Sequence, residues 1–249
     1  MTDLKEAPMD LQGISETGRS LTLRAFEQLR ADIISARLRP AERLRIQALS
    51  ERYRIGATAI REALSRLVTD ELVEFEDQRG FCVAPVSRAV WSDLAQTRLD
   101  VEQMALRYAV ERGDIDWESQ LMSAFHRLSR TPAPDTPEKA TIWSEVHRQF
   151  HMALVGGCGS PWLMRLCGLL YDQSERYRNF AIAQTASHAR DSAGEHKELL
   201  DAALGRDADT LNRLIAEHFG RTTEIILRAD FNDTTPAARA VGRSTSNAT

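Results

Sequence analysis

Apolar residues between positions 19 and 86 recur first at helical spacing and then in alternation with polar residues. Their spacing predicts three short helices, which cover residues 23–36, 45–53 and 57–69. From Leu72 onward, apolar and acidic residues alternate up to a turn at Gly80, which predicts a two-stranded hairpin. Only a few residues separate the second and third helices, which is typical of a helix-turn-helix. The pattern therefore predicts a winged helix-turn-helix, and an unspecialised helical subdomain with a β-ribbon is the alternative.

The rest of the chain, from about Val90, shows only helical periodicity. Six helices are predicted there, at residues 91–112, 117–128, 140–155, 161–183, 192–203 and 207–228. The fold class predicted for the whole chain is mainly α. An N-terminal winged helix-turn-helix with a small β-hairpin is followed by a C-terminal antiparallel bundle of six to seven helices.

These elements divide the chain into two domains. We predict a winged helix-turn-helix domain at residues 19–86, a linker at 87–92 and an all-helical domain at 93–231. The polar stretches at residues 1–18 and 232–249 show no helical stripe, so we expect both to be disordered tails.

Composition argues against several classes of protein. The longest apolar stretches fall far short of the roughly 18 residues that a membrane span needs, and the polar start lacks the apolar stretch of a secretory signal. The three cysteines include no CxxC pair and are too few for a disulfide framework. We therefore expect a globular protein of the reducing cytoplasm, with no membrane partner.

The charge of the chain is unevenly placed. The net charge is −4, yet ten arginines and five acids lie between Leu21 and Leu67, which makes that segment +5 and the remainder −9. An arginine-rich segment on an otherwise acidic protein is typical of nucleic-acid contact, and a solvated basic face is the alternative.

The third predicted helix carries residues that could read DNA, because the second helix of a helix-turn-helix enters the major groove. Thr58, Arg61 and Ser65 share one face of that helix, and Arg61 can donate two hydrogen bonds to guanine O6 and N7. Arg79 at the hairpin tip suits a phosphate or minor-groove contact, because Gly80 allows close approach of the backbone. A solvated surface charge is the alternative for each arginine.

About 60 residues of the N-terminal part resemble the DNA-binding domain of the GntR family of bacterial transcription regulators. The segments RLRPAERL, IREALSRL and RGFCVAP carry the resemblance. Thr58, Arg61 and Gly80 fit the family pattern, whereas Gln47 and Ala57 stand where members typically carry arginine. The resemblance implies DNA binding, and the loss of two cations per protomer implies a lower affinity or a different operator. The candidate DNA-binding residues are Arg45, Gln47, Ala57, Thr58, Arg61, Ser65, Arg79 and Gly80.

Four histidines of the helical domain form an ordered set. His147 and His151 are four residues apart on one predicted helix, the spacing at which two imidazoles on one face can reach one metal ion. His196 and His218 would have to converge on them from two other helices. Spacing alone leaves open that these histidines are exposed or satisfied by ordinary contacts.

Residues from about Asp93 to Phe231 resemble the all-helical effector domain of the FadR subfamily of the same regulators. The segments RLDVEQMALRYA, HRQFHMALVGGCGSPWL, EHKELLDAALGRDAD and AEHF carry this resemblance. Many members hold a divalent metal ion with an aspartate, a histidine four residues later and two further histidines. His151, His196 and His218 fit this pattern, and His147 stands where the aspartate is usual.

The histidine at position 147 has a physical consequence. A neutral imidazole in place of a carboxylate makes the site around a divalent ion more positive by one unit, and it shifts the preference from harder ions toward zinc or nickel. A more positive site favours an anionic ligand. The implied cofactor is therefore a divalent metal ion, zinc or nickel. The alternative is an empty pocket in which His147 contacts the ligand.

Three arginines are candidate effector contacts. Arg98 lies in the segment where the subfamily keeps an arginine near the effector, and it could bind a carboxylate with two hydrogen bonds. An ordinary surface pair with Glu102, four residues later, is the alternative. Arg176 and Arg178 in SERYRN are further candidates of the same kind.

Together, the two resemblances imply a ligand-responsive transcriptional regulator, most often a repressor in that group, and not an enzyme. They imply a homodimer whose two recognition helices bind double-stranded DNA at a palindromic operator. A small organic acid bound beside the metal ion would change the DNA affinity, with a coupling of about 1–3 kcal/mol. Two alternatives remain: a metal-dependent enzyme that acts on a small carboxylate, and a helical sensor whose effector is the metal ion alone.

Overall fold

The computed structural model describes residues 11–132, 137–185 and 192–231. Two compact units divide the chain at residues 84 and 85, except that residues 34–37 belong to the second unit. The predicted tail at residues 232–249 and the first ten residues of the predicted N-terminal tail lie outside the described residues. Among the helices that are described, none has the length and apolar character that a membrane crossing requires.

The first unit is a winged helix-turn-helix, as predicted. In chain order its elements are α1 (Leu11–Ile34), β1 (Arg43–Leu44), α2 (Ile46–Tyr53), α3 (Ala57–Thr69), β2 (Val73–Glu76) and β3 (Gly80–Val83). Helix α3 has the predicted bounds, because Ile60, Leu64 and Leu67 form one continuous face that is fully buried. That face packs in the same core as Leu29 and Ile33 of α1.

Helix α1 is longer than the sequence predicted. It begins at Leu11, so residues 11–18, which we expected to be disordered, form its first turns. A helix satisfies its own backbone hydrogen bonds and can continue beyond its buried face, and no proline lies between residues 9 and 39 to stop it. Thr22 and Ala25 are also buried, although neither was counted as an apolar position.

A third strand joins the predicted hairpin. Strand β1 pairs antiparallel with β3, which makes the strand order β1, β3, β2. Arg43 lies opposite Cys82 and Leu44 opposite Phe81. A strand of two residues is too short to show alternation, so only two strands were predicted.

Asp32 of α1 orients the second helix. Its buried carboxylate accepts hydrogen bonds from the hydroxyl of Tyr53 at 2.6 Å and from Nη2 of Arg52 at 2.9 Å. Because both donors lie at the end of α2, these bonds tie that end to α1, and the turn that follows leads directly into α3.

The second unit contains six helices in the part of the chain that the structure describes. They are α4 (Arg88–Arg112), α5 (Ile115–Arg130), α6 (Pro137–Val155), α7 (Pro161–Thr185), α8 (Ser192–Leu204) and α9 (Ala208–Leu227), with a 3-10 turn at Gly156–Cys158. Each corresponds to a predicted helix. Helices α4 and α7 run antiparallel, since Arg98 lies over the ring of Tyr171 and Arg112 donates to the carbonyl oxygen of Cys158.

Helix α4 begins inside the segment that we predicted to be a linker. Ser87 caps it, because its Oγ accepts a hydrogen bond from the backbone N–H of Val90 at 3.2 Å. Residues 88–92 are therefore helical, and Trp91 is buried among them. Serine is common both in linkers and at helix starts, so the sequence did not separate the two.

Trp117 of α5 fixes the position of α6, which carries two of the four histidines. Its indole N–H donates to the carbonyl oxygen of Ala153 at 2.9 Å. A Cβ atom added at Gly113 would lie only 2.2 Å from the indole ring, and one at Gly157 would lie 2.9 Å from it. Glycine at these two positions therefore permits the close packing that holds α6 in place.

Candidate functional site

The structure brings the four candidate histidines together inside the helical unit. His147 and His151 project from α6, His196 from α8 and His218 from α9. All four are buried, and one ligand atom from each lies within 4.8 Å of the others. Four buried imidazoles that meet at one point could hold a metal ion.

The distances among the imidazole nitrogens fit a shared ion. Nε2 of His147 lies 3.1 Å from Nε2 of His151 and 3.1 Å from Nε2 of His196. One ring nitrogen carries either one proton or one lone pair, so it can make one good hydrogen bond but not two. By contrast, two nitrogens bound to one zinc ion at about 2.0–2.1 Å are separated by roughly 2.9–3.4 Å. The donor set is therefore arranged as the ligands of a divalent cation would be.

Two residues that the sequence analysis did not assign to the site orient these rings. The hydroxyl of Tyr171 lies 2.7 Å from Nδ1 of His147, and Oε2 of Glu195 lies 2.7 Å from Nδ1 of His218. Such bonds to the second ring nitrogen leave Nε2 free to face a metal ion. Glu195 stands beside His196 in the sequence, but no pattern there marked it as a partner of His218. Nothing in the sequence singled out Tyr171.

Burial also keeps two of the imidazoles neutral. It lowers the pKa of His147 and of His151 well below the ordinary value of 6.5, and the neighbouring imidazoles lower the pKa further. A neutral imidazole retains the lone pair that binds a cation, so both rings can act as ligands at neutral pH.

Arg98 lies next to the histidine cluster and is itself buried. Its guanidinium stacks over the rings of Phe219 at 4.1 Å and Tyr171 at 4.8 Å, and its Nε donates to Glu102 at 2.9 Å. The pair with Glu102 is therefore real, but it is buried and not the surface pair that we considered. Burial raises the pKa of Glu102, and Arg98 opposes this effect.

The other two candidate arginines are held by neighbours on their own helix. Arg178 donates to both carboxylate oxygens of Glu175 and stacks over Trp143, which in turn stacks on His147 at 4.4 Å. Arg176 is buried and contacts Gln173 at 3.2 Å. Arg178 thus borders the histidine cluster through Trp143.

Most of the candidate DNA-binding residues are exposed on the first unit. The exposed members are Arg45, Gln47, Thr58, Arg61, Ser65 and Arg79, while Ala57 and Gly80 are half-buried. Arg61 has no hydrogen-bond or ion-pair partner for its side chain among the described residues, whereas its neighbour Glu62 binds Arg66 at 2.8 Å. The guanidinium of Arg61 is therefore available to a ligand.

The tip of the hairpin has a backbone that suits glycine. Gly80 has φ of +79°, a left-handed conformation that other residues adopt only with strain. Arg79 beside it is exposed and pairs with Glu76 at 3.0 Å. A surface pair of this kind is weak, so a phosphate could displace it.

Comparisons with known proteins match one family to each of the two units. The family described as bacterial regulatory proteins, gntR family, matches residues 21–83, and the FCD domain matches residues 93–221. The uncharacterized HTH-type transcriptional regulator BphR of Paraburkholderia xenovorans is 40% identical over 214 residues, which cover 84% of this chain and 86% of BphR. The HTH-type transcriptional repressor GlaR of Escherichia coli is 34% identical, over 84% of this chain and 96% of GlaR.

A solved structure shares the fold. The structure of McbR/YncC from E. coli matches with a TM-score of 0.72 and 22% identity, over 83% of this chain and 97% of that one. These relatives are transcriptional regulators and not enzymes, so they argue against the alternative that the chain is a metal-dependent enzyme. The chain therefore belongs to the gntR family of bacterial regulatory proteins, with an FCD effector domain, and it is a ligand-responsive DNA-binding transcriptional regulator.

Proposed function

We propose that this regulator is a homodimeric repressor in the cytoplasm, and that a small organic acid bound beside a divalent metal ion changes its affinity for a palindromic operator. The observation that carries the proposal is the meeting of four buried imidazoles beside a buried guanidinium. A cation and a guanidinium in one apolar interior together favour an anion. GlaR, a relative that is named as a repressor, supports the proposal that this protein represses transcription.

His147, His151, His196 and His218 would hold the ion, with zinc or nickel as our assignment because all four donors are imidazoles. The ion would supply a positive centre that binds an oxygen of the anionic effector. The neutral donors do not offset the charge of the ion, so that charge remains available to the ligand. Arg98 would hold the other side of the same anion.

An exposed apolar surface supports the homodimer. Trp162, Leu166 and Leu169 follow one face of α7 at spacings of four and three residues, with 73%, 42% and 37% of each residue exposed. Because α7 runs antiparallel to α4, the half-exposed Met104 of α4 lies at about the level of Leu166. We call these four residues the α4–α7 patch.

The occupant that we propose for the α4–α7 patch is a second copy of this chain. A two-fold axis near Leu166 would place Trp162 of each protomer against Leu169 of its partner, so the stripe complements itself. Aromatic residues, methionine and leucine form the apolar centre of many stable interfaces. A dimer of this kind is also what a palindromic operator requires.

Arg61 should decide which base pairs the protein reads. Arg61→Ala is expected to weaken binding to the operator by about 5- to 150-fold, the equivalent of about 1–3 kcal/mol, because a bidentate contact to guanine is lost. Binding to a random duplex should change much less. Titration of both duplexes, with the operator obtained by selection from a random pool, measures this. Arg79→Ala is the matched control and should weaken both duplexes alike. If Arg61→Ala weakened binding to the operator and to the random duplex equally, Arg61 would be a phosphate contact instead.

The affinity for DNA should fall steeply with salt. If the dimer makes about six phosphate contacts, the logarithm of the association constant should fall against the logarithm of salt concentration with a slope of about −5. Fluorescence anisotropy with a labelled operator between low and high salt measures the slope. A slope near zero for operator and random duplex alike would contradict DNA binding by this surface.

One experiment tests the proposed effector function as a whole. Elemental analysis of the purified protein, with mass spectrometry of any small acid that copurifies, identifies what the site holds. Operator binding is then measured with the ion removed, with the ion restored, and with ion and acid together. We expect the acid to change operator affinity only when the ion is present. A change with the ion alone would instead favour the pure metal sensor.

A further inference from the structure

The C-terminal end of α1 is held by side chains of the helical unit. Residues 34–37 belong to that unit, whereas the rest of α1 belongs to the first unit. Nη2 of Arg37 donates a hydrogen bond to the hydroxyl of Thr141 on α6. Nδ2 of Asn179 on α7 donates to the carbonyl oxygen of Ile34 at 2.9 Å. The last carbonyl groups of a helix have no partner within the helix, so the bond from Asn179 fixes the point where α1 ends.

Asn179 is joined to the histidine cluster by a continuous series of side-chain contacts. Its Oδ1 accepts a hydrogen bond from Nη2 of Arg178 at 3.3 Å. The guanidinium of Arg178 lies over the ring of Trp143 at 4.8 Å. That ring stacks on the imidazole of His147, with 4.4 Å between the ring centroids and an angle of 17° between the planes. Every step from His147 to the end of α1 is therefore a direct contact.

The side-chain amide of Asn179 can hold the end of α1 in only one of its two orientations. Its oxygen accepts hydrogen bonds, and its nitrogen donates them. The donor on Arg178 selects the orientation in which Nδ2 faces the carbonyl oxygen of Ile34. The opposite orientation would place one acceptor against another. The position of the Arg178 guanidinium therefore controls the bond between α7 and α1.

The end of α1 is important for DNA binding because of the residues that α1 packs against. Leu29 and Ile33 are buried in the same core as Ile60 and Leu64 of helix α3, which carries Arg61. Protein interiors are close-packed and transmit strain, so a shift at the end of α1 is passed on to α3.

We infer that Asn179 is a positioning residue for the effector response, which links occupancy of the metal cluster to the end of α1. When the cluster is filled, the imidazole of His147 is fixed, and the stacked ring of Trp143 is fixed with it. Trp143 then holds Arg178, and Arg178 orients the amide of Asn179. When the cluster is empty, these side chains can rearrange, and the bond to Ile34 is weaker. This inference rests on the proposed metal site and adds to it the route by which the site acts.

Hydrogen exchange of the full-length protein, followed by mass spectrometry, tests the link. Zinc alone is the probe, at concentrations that saturate each protein, and exchange is compared with that of the chelated protein. In the wild type we expect zinc to slow the exchange of residues 34–37 by about 5- to 150-fold. Asn179→Ala should bind zinc with unchanged affinity by calorimetry, because Asn179 is not a member of the cluster. The effect of zinc on residues 34–37 should nevertheless be lost.

Trp143→Leu tests the route separately from the bond at its end. It removes the ring between His147 and Arg178 but keeps the bond from Asn179 to Ile34. Without zinc, this variant should exchange residues 34–37 as the wild type does, whereas Asn179→Ala should exchange them faster. With zinc, both variants should lack the slowing that the wild type shows.

Gln184→Ala is the matched control. It also removes a side-chain amide of α7 that bonds to main chain, in this case the N–H of Asp230 at 2.9 Å and its carbonyl oxygen at 3.2 Å. This variant should keep the full effect of zinc on residues 34–37. If Asn179→Ala also kept it, the inference would be overturned.

The remaining outcomes distinguish this inference from the proposed function. A wild-type protein that binds zinc without slower exchange at residues 34–37 would overturn the inference alone. A wild-type protein that binds no zinc would overturn the metal site and the inference together. If exchange responds as expected but operator affinity stays the same with zinc and with any acid that copurifies, the proposed function fails and the link between the cluster and α1 is supported.

Discussion

His151→Ala should abolish stable metal binding, and with it most of the stabilisation that the ion gives to the helical unit. His151 is 1% exposed, and its Nε2 lies 3.1 Å from Nε2 of His147, so its loss leaves three imidazoles and a hole beside them. We expect the metal content to fall from about one ion per chain to almost none after dialysis. A ligand present at 1,000 times its Kd stabilises the folded state by about 4 kcal/mol, and this amount should disappear.

Elemental analysis and thermal unfolding with and without a chelator measure the two effects. The chelator should lower the Tm of the wild-type protein and have no effect on the His151→Ala protein. His126→Ala is the matched control, because His126 is exposed on α5, and it should behave as wild type. If the variant retained its metal, or if chelation did not change the wild-type Tm, the histidine cluster would not be a metal site.

Leu166→Glu should convert the proposed dimer into monomers. It places a carboxylate at the centre of the α4–α7 patch, where the partner copy would bury it close to its symmetry mate. A dimer gains affinity because its second half-site contact is intramolecular, an advantage of about 10²- to 10⁴-fold. We therefore expect operator affinity to fall by a factor in that range, while the affinity for a single half-site is maintained.

Sedimentation velocity and operator titration check this result. Ile115→Glu is the matched control, because Ile115 is a more exposed apolar residue, at 70%, and lies on α5 outside the α4–α7 patch. The control should remain a dimer with normal affinity. A Leu166→Glu protein that sediments as a dimer would show that the chain associates through another surface.

Much of the fold could be predicted from the sequence, because each helix repeats apolar residues over several turns. Helix α3 has the predicted bounds, and the six helices of the second unit lie at the predicted places. The errors occur where the local signal is weak. Strand β1 has only two residues, and it forms only by pairing with β3. Ser87 caps helix α4, but serine is equally common in linkers, so its residue type did not mark the start of the helix.

The candidate site, like the fold, could be predicted only where the signal is local. The pair His147 and His151 follows from helical geometry alone, since residues four apart share a face whatever surrounds the helix. The positions of His196 and His218 against that pair depend on how α8 and α9 pack on α6, and spacing along the chain does not contain this information.

The sequence by itself therefore determined most of the elements, the family and one half of the histidine cluster, because periodicity and short motifs are local properties. Only the tertiary structure decided that four imidazoles meet, that Tyr171 and Glu195 orient two of them, and that the pair of Arg98 and Glu102 is buried. It also placed Asn179 between Arg178 and the end of α1. Burial and hydrogen-bond partners are set by side chains distant in sequence, which meet only when the helices pack.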